Sequence, residues 1–446
     1  MKRIIKLFSG VLGLLSLVVL IIILSIAFRN LKEESSLSSS SLFQSPIRTP
    51  TWPPYPPPIT PSGPPATPTL APEQIPICIF PARMAPAELA TSLDTYKLSQ
   101  PQVVLTHTSA IEIADWLPNN QQLLITKDIP GTNRQVIELF DTQTGKESVY
   151  AERHSINTPP VWLSAYKSVA FIDSTMEEGW ALRLSHSPGE SVEALQTHLA
   201  SPYLAANSTG DKVSFLLWGQ SARPAVFDLR EKKIQPFDIQ LPFAPRRKSL
   251  DAPLAPEEFY RVAWEPRGTR IAFYNQTGLY LLDLTTGQAC RMELGLAGIG
   301  KRASRWAYLA KWSPNGRYLA MITTSGRLPL EFSELTLLDT MTGDLHTIQP
   351  KRYLPSGKYY VLDIDWAPDS TTIAERVAIA IKEGVAYDGV YLVSSRDNRQ
   401  KRQLSELTFA GASAGVSLSW SPAGEYLILN CPTSNEGRLC QITVTK

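Results

Sequence analysis

The chain has 446 residues, 43 Lys plus Arg against 41 Asp plus Glu, and 43% hydrophobic residues. The balance of +2 lacks the basic surplus of a nucleic-acid binder, and the apolar fraction excludes global disorder. Four cysteines are too few for a disulfide scaffold, whereas 36 prolines and 10 tryptophans are an excess that needs explaining.

Met1-Lys2-Arg3 and Lys6 form a basic flank, and residues 7–28 follow as 22 residues without a charge. As a helix this run spans about 33 Å, enough for a hydrocarbon core of about 30 Å. A cleavable signal has a shorter apolar region and a small-residue cleavage site, but this run ends Ala27-Phe28-Arg29-Asn30. The expectation is an uncleaved transmembrane anchor within residues 1–30, with a cleaved signal as the alternative. Lys2, Arg3 and Lys6 precede the run, while Arg29 and Lys32 follow it beside Glu33 and Glu34. That asymmetry puts the N-terminus in the cytoplasm and the remainder outside, extracellular or periplasmic.

Residues 31–76 read as a linker. A serine-rich stretch leads into 13 prolines between positions 46 and 76. Proline fixes φ and lacks an N–H, so a semi-rigid, polyproline-like stalk is expected there.

Residues 77–446 contain a repeat. Trp264-Glu265-Pro266-Arg267-Gly268, Trp312-Ser313-Pro314-Asn315-Gly316, Trp366-Ala367-Pro368-Asp369-Ser370 and Trp420-Ser421-Pro422-Ala423-Gly424 align without gaps, each before an apolar, β-prone run. Weaker copies start at Trp116 and Trp162, and a degenerate one holds Ala206 at the register position. A second signature follows in several units: Leu139-Phe140-Asp141 before Thr144-Gly145, Leu281-Leu282-Asp283 before Thr286-Gly287, and Leu337-Leu338-Asp339 before Thr342-Gly343. The third unit keeps only Val226-Phe227-Asp228.

Tryptophan at the end of a strand offers a large face for packing between sheets. Pro with Gly, Asn or Asp makes a hairpin turn, and Asp–Thr–Gly makes a second. Two turns per unit give four short antiparallel strands. Seven such units predict an all-β protein, a seven-bladed β-propeller of four-stranded blades, preceded by one transmembrane helix and the Pro-rich stalk.

The pattern Trp-Ser-Pro-x-Gly, then an apolar strand, then Leu-Asp-x-x-Thr-Gly resembles the TolB-type, WD-repeat-like propeller repeat. It lacks the Gly-His and Trp-Asp pairs of true WD repeats. The resemblance implies scaffolding and binding roles, and a similar propeller precedes the catalytic domain of prolyl-oligopeptidase-like peptidases.

Residues with chemical potential are few. Gly411-Ala412-Ser413-Ala414-Gly415 matches a nucleophile elbow, but no histidine follows His346, so a Ser–Asp–His order cannot be completed. His107, His154, His186, His198 and His346 show no metal-ligand spacing, and no cofactor motif is present. Asp363 and Asp365 suit acid–base work or cation binding, although hydrogen bonding to neighbouring turns is the plainer expectation. Arg246-Arg247-Lys248 reads as an exposed loop or a contact for an anionic partner. Asn207-Ser208-Thr209 and Asn275-Gln276-Thr277 match a glycosylation acceptor.

Gln102-Val103-Val104-Leu105-Thr106 has no unit of its own, and the last unit lacks a fourth strand. Strand exchange would close the ring by pairing residues 102–106 with 438–444. A hairpin folded about Asn435-Glu436 places Cys431 opposite Cys440 for a disulfide. Cys78 and Cys290 are left over and could tie the end of the stalk to the fourth blade.

The functional expectation is a membrane-anchored, extracytoplasmic propeller that binds a protein or surface ligand. The alternative is a propeller enzyme, a hydrolase or lyase on a sugar or peptide, with its site at the channel.

Overall fold

The computed structural model describes residues 75–80, 91–156, 158–175, 177–219, 221–242, 258–297, 303–325, 333–348, 358–381, 384–396, 401–403, 417–431 and 436–446. The expected anchor and most of the linker lie outside the described residues. Among those described, no helix is long and apolar enough to cross a membrane.

The Trp turn sets an identical hairpin in every unit. Each register residue pairs with the residue seven places on: Trp116 with Leu123, Trp162 with Val169, Ala206 with Val213, Trp264 with Ile271, Trp312 with Leu319, Trp366 with Ile373 and Trp420 with Leu427. Asn120, Gly210, Gly268, Gly316, Ser370 and Gly424 close these turns, each donating to the carbonyl three residues back. All six hold φ between 59° and 79°, which explains the recurrence of Gly, Asn and a small residue there.

The second turn works as expected. Gly145, Gly287 and Gly343 donate to the carbonyls of Asp141, Asp283 and Asp339 at 2.7–2.9 Å. The Asp carboxylates accept N–H groups from Gln143, Thr285 and Met341. In the third unit Asp228 keeps this role toward Arg230 and Glu231, and Lys232, with φ of 51°, takes the left-handed place of glycine.

Seven antiparallel sheets result. Blades 1 to 6 cover residues 111–154, 161–196, 205–236, 261–292, 303–348 and 358–403. Blade 5 carries an additional short strand, Leu296–Ala297, paired with residues 303 and 304. Blade 7 combines Leu418–Trp420, Tyr426–Cys431 and Gly437–Thr445 with the N-terminal strand Gln102–His107. That strand pairs antiparallel with Gly437–Thr445, placing Val103 opposite Cys440, so the expected strand exchange closes the ring. The first strand of every blade touches the first strands of both neighbours, and these seven strands line a central channel.

The core sits between blades. Between blades 3 and 4, for example, Val226 and Phe237 pack against Trp264, Phe273 and Tyr280. The segment before blade 1 adds a strap. Ile77 bridges Arg291 in parallel on the outer strand of blade 4, and Arg291 N donates to Pro76 O at 2.8 Å. Cys78 and Cys290 are disulfide-bonded there, with Cα atoms 4.8 Å apart. Ile75, just ahead of the expected boundary at 77, is already buried against blades 3 and 4. Phe80 lies against Gly343 of blade 5. Further along, Thr91 N donates to Thr371 of blade 6, and Tyr96 donates its hydroxyl to Asp369 while standing edge-on to Trp420 of blade 7.

Candidate functional site: the central channel

The repeat tryptophans do more than fill space. Trp312 Nε1 donates to Ala263 O at 3.1 Å, Trp366 Nε1 to Lys311 O at 3.0 Å, and Trp116 Nε1 to Ser419 O at 3.4 Å. Each acceptor directly precedes the register position of the preceding blade. Trp264 Nε1 and Trp420 Nε1 are buried without such a partner. Trp162 is half-buried and meets Tyr150 edge to face at 5.9 Å.

Side chains alternate along a strand, so Asp365 and Asp363, one and three places before Trp366, both face the next blade. Here the channel wall acquires its charge. Asp363 Oδ2 accepts from Leu418 N at 2.7 Å, and Asp365 Oδ2 accepts from Trp420 N at 2.6 Å. The two carboxylates therefore bond the first strand of blade 7 rather than neighbouring turns, because the alternation directs both across the blade interface. Their other oxygens face Lys311 of blade 5, at 3.9 Å for Asp363 and 3.3 Å for Asp365. Burial pulls the Lys311 ammonium down, but Asp363 and Asp365 outweigh it and hold its pKa above the usual lysine value. Burial raises the Asp363 carboxyl against the opposing charge of Lys311.

Asp115 of blade 1 shares this environment. It is open to channel water yet walled by protein, and it is pushed up to about 6 by that enclosure and by the charge of Asp365. Asp115, Lys311 and Asp365 all directly precede a register Trp. Reading that single column across the repeat would have exposed the cluster from the sequence.

Arg261 of blade 4 stands three places before Trp264. Its guanidinium lies 5.1 Å from the ring centre of Tyr203 and 5.8 Å from that of Tyr308. Away from the channel, Arg153 is fully buried and donates to Gln135, Ile172 O, Ile156 O and Thr158 O, which ties blades 1 and 2 together.

Cys431 and Cys440 are joined by a disulfide with Cα atoms 5.5 Å apart. They are not directly opposite. Cys431 pairs with Arg438 and Cys440 with Leu429, so the strand register is displaced from that of a fold about Asn435-Glu436. The bond is diagonal, between side chains on one face of the sheet. Asn275 is buried and donates to Glu258 O, and Asn207 donates to Asp211 within its turn, so both asparagines serve the fold. His154 meets Asp173 and His186 meets Glu193, far apart on the strands of blades 1 and 2. Among the described residues no group of three or more His, Cys, Asp or Glu could hold a metal ion. Gly411–Gly415 and Arg246–Lys248 lie outside the described residues.

No protein-family profile matches the chain, and no curated protein matches it by sequence. Solved structures do. An oligogalacturonate lyase from Vibrio parahaemolyticus is 10% identical, with a TM-score of 0.51 over 79% of this chain and 98% of that one. TolB from Acinetobacter baumannii is 14% identical, with a TM-score of 0.39 over 72% and 78%. The Cps50 (Swd1) β-propeller domain of Myceliophteria thermophila is 11% identical, with a TM-score of 0.47 over 76% and 99%. At such identities the likeness is one of fold, and the chain is a seven-bladed β-propeller of four-stranded antiparallel blades.

Proposed function

We propose that the protein is a membrane-anchored, extracytoplasmic propeller that binds a protein or surface ligand. The observation that carries the binding reading is the commitment of Asp363 and Asp365. Their oxygens hold backbone N–H groups of blade 7 and the ammonium of Lys311, so neither is free to act as nucleophile or base. Two disulfides support the extracytoplasmic placement, since such bonds persist in oxidising compartments.

A second reading is an enzyme at the channel, as a hydrolase or lyase. One observation favours it: Asp115 is open to the channel and carries a raised pKa, as catalytic acids do.

The test is crosslinking of the anchored protein in its own cells, with thiol labelling before lysis. A discrete partner captured by the wild type and by Asp115→Asn alike supports the binding reading. Labelling of all four cysteines without reduction overturns the placement. Loss of turnover of a bound sugar or peptide in Asp115→Asn overturns the binding reading in favour of the enzyme.

A further inference from the structure

The channel wall of blades 3 to 5 contains hydrogen-bond donors that no described residue accepts from. Arg261 opens the first strand of blade 4. The rings of Tyr203 and Tyr308 hold its guanidinium at 5.1 and 5.8 Å by cation–π contact. Neither ring accepts its N–H groups, and among the described residues no carboxylate or carbonyl meets them. Lys311, a second cation on this wall, is already engaged with Asp363 and Asp365.

Tyr274 lies directly across the hairpin from Arg261, on the same face of the sheet. Its hydroxyl accepts from Ala310 N at 2.9 Å, which leaves its own proton without a protein acceptor among the described residues. The side chain is 3% exposed and belongs to the core between blades 4 and 5, so this hydroxyl is closed to a ligand in the channel and serves the blade interface. The hydroxyl of Tyr203 also has no described partner. Tyr308 differs, since its hydroxyl donates to Val361 O and serves only as a ring. One cation and the phenolic donor of Tyr203 therefore lie side by side with no acceptor among the described residues.

We propose that Arg261 and Tyr203 form a binding site for a carboxylate group on a ligand entering the channel. A planar carboxylate matches the fork of a guanidinium and accepts from the phenol of Tyr203. The charge on this wall selects a monoanion. Asp115, Asp363 and Asp365 outnumber Lys311 nearby, so a phosphate dianion meets repulsion that a single carboxylate, neutralised by Arg261, escapes. The stacked rings restrict the guanidinium before the ligand arrives, which reduces the ordering cost of binding. The site rests on the binding reading of the channel, but the two fail separately: a cell-surface partner can dock on the rim with this site empty.

The test titrates the full chain in detergent with N-acetylglycine, N-acetylglycinamide and inorganic phosphate, read by the tyrosine near-ultraviolet difference spectrum. N-acetylglycine is expected to saturate, its amide to give no signal, and phosphate to bind about tenfold more weakly or not at all. Arg261→Gln should weaken N-acetylglycine at least about tenfold, since it removes charge-assisted hydrogen bonds. Tyr203→Phe keeps the ring and removes one donor, and should weaken binding several-fold while the thermal midpoint stays unchanged. Equal response to acid and amide, tighter binding of phosphate, or full retention of binding in both variants overturns the site. Partner capture in cells that persists in Arg261→Gln leaves the scaffold reading standing alone.

Discussion

The tryptophan ladder can be tested by one substitution made at two equivalent positions. Trp312 and Trp420 occupy the same register, and both are about as buried, at 6% and 4% exposure. Only Trp312 makes the inter-blade bond, to Ala263 O at 3.1 Å, whereas Trp420 Nε1 is buried without a partner. Replacing each by Phe removes similar apolar area and keeps a ring for Arg270 or Tyr96 to contact. Trp312→Phe additionally loses a hydrogen bond of about 1 kcal/mol net and strands a carbonyl, while Trp420→Phe removes an unsatisfied donor. The expected gap is about 2 kcal/mol, with Trp312→Phe the less stable. For a domain of this size that corresponds to about 3 °C in thermal midpoint. Urea unfolding monitored by near-ultraviolet circular dichroism measures it. A Trp420→Phe variant as destabilised as Trp312→Phe would refute the idea that the N–H, rather than the bulk of the ring, joins the blades.

Removing Cys78–Cys290 by serine substitution should destabilise more than removing Cys431–Cys440, because the closed loops span 212 and 9 residues; the chain-entropy relation gives about 5 against about 3 kcal/mol, and comparison of denaturation midpoints decides. Gly343→Ala should cost more than Gly287→Ala. Both sit at positive φ, but only at Gly343 does a Cβ meet Phe80, at 2.6 Å, so hydrogen exchange at residues 75–80 should rise in that variant alone. Asp115 has a folded pKa of about 6 against an ordinary 3.8, so its protonation favours the fold. That stability is present below about pH 4 and lost as pH rises through about 6; Asp115→Asn should therefore gain thermal midpoint over the wild type at pH 7 and match it below about pH 4. A chain starting at residue 75 should unfold cooperatively, whereas one starting at 81 loses Ile75 and the first disulfide and should show an earlier, separate transition by calorimetry.

The blades were legible because their turns demand particular residues. A proline with a following Gly, Asn or Ser at positive φ leaves a mark that survives when neighbouring strand residues drift. The Ala206 unit retained the register even without its tryptophan, since the turn at Asn207 and Gly210 carried it. Closure by residues 102–107 was legible from counting strands. The channel charges were harder to see. Asp115, Lys311 and Asp365 lie in three different blades, and only the closed ring brings them together. Arg261 gave less signal still, because its partners are aromatic rings from blades 3 and 5 that no spacing rule links. The diagonal register of Cys431 and Cys440 depended on the length of a turn that composition does not fix.

The strap also determines where a mechanical load enters the molecule. Any tension arriving along the N-terminal chain meets residues 75–78 before the rest of the strap, and the covalent bond from Cys78 to Cys290 carries it into the outer strand of blade 4. From there the pull spreads through the sheet of blade 4, whose strands are hydrogen-bonded side by side. Residues 91–98 and the ring-closing strand Gln102–His107 lie beyond that bond and are shielded from the force. A propeller held on a tether by its closing strand would tend to unzip at blade 7. Fastened at Cys290, it hangs from a blade whose four strands are continuous in sequence.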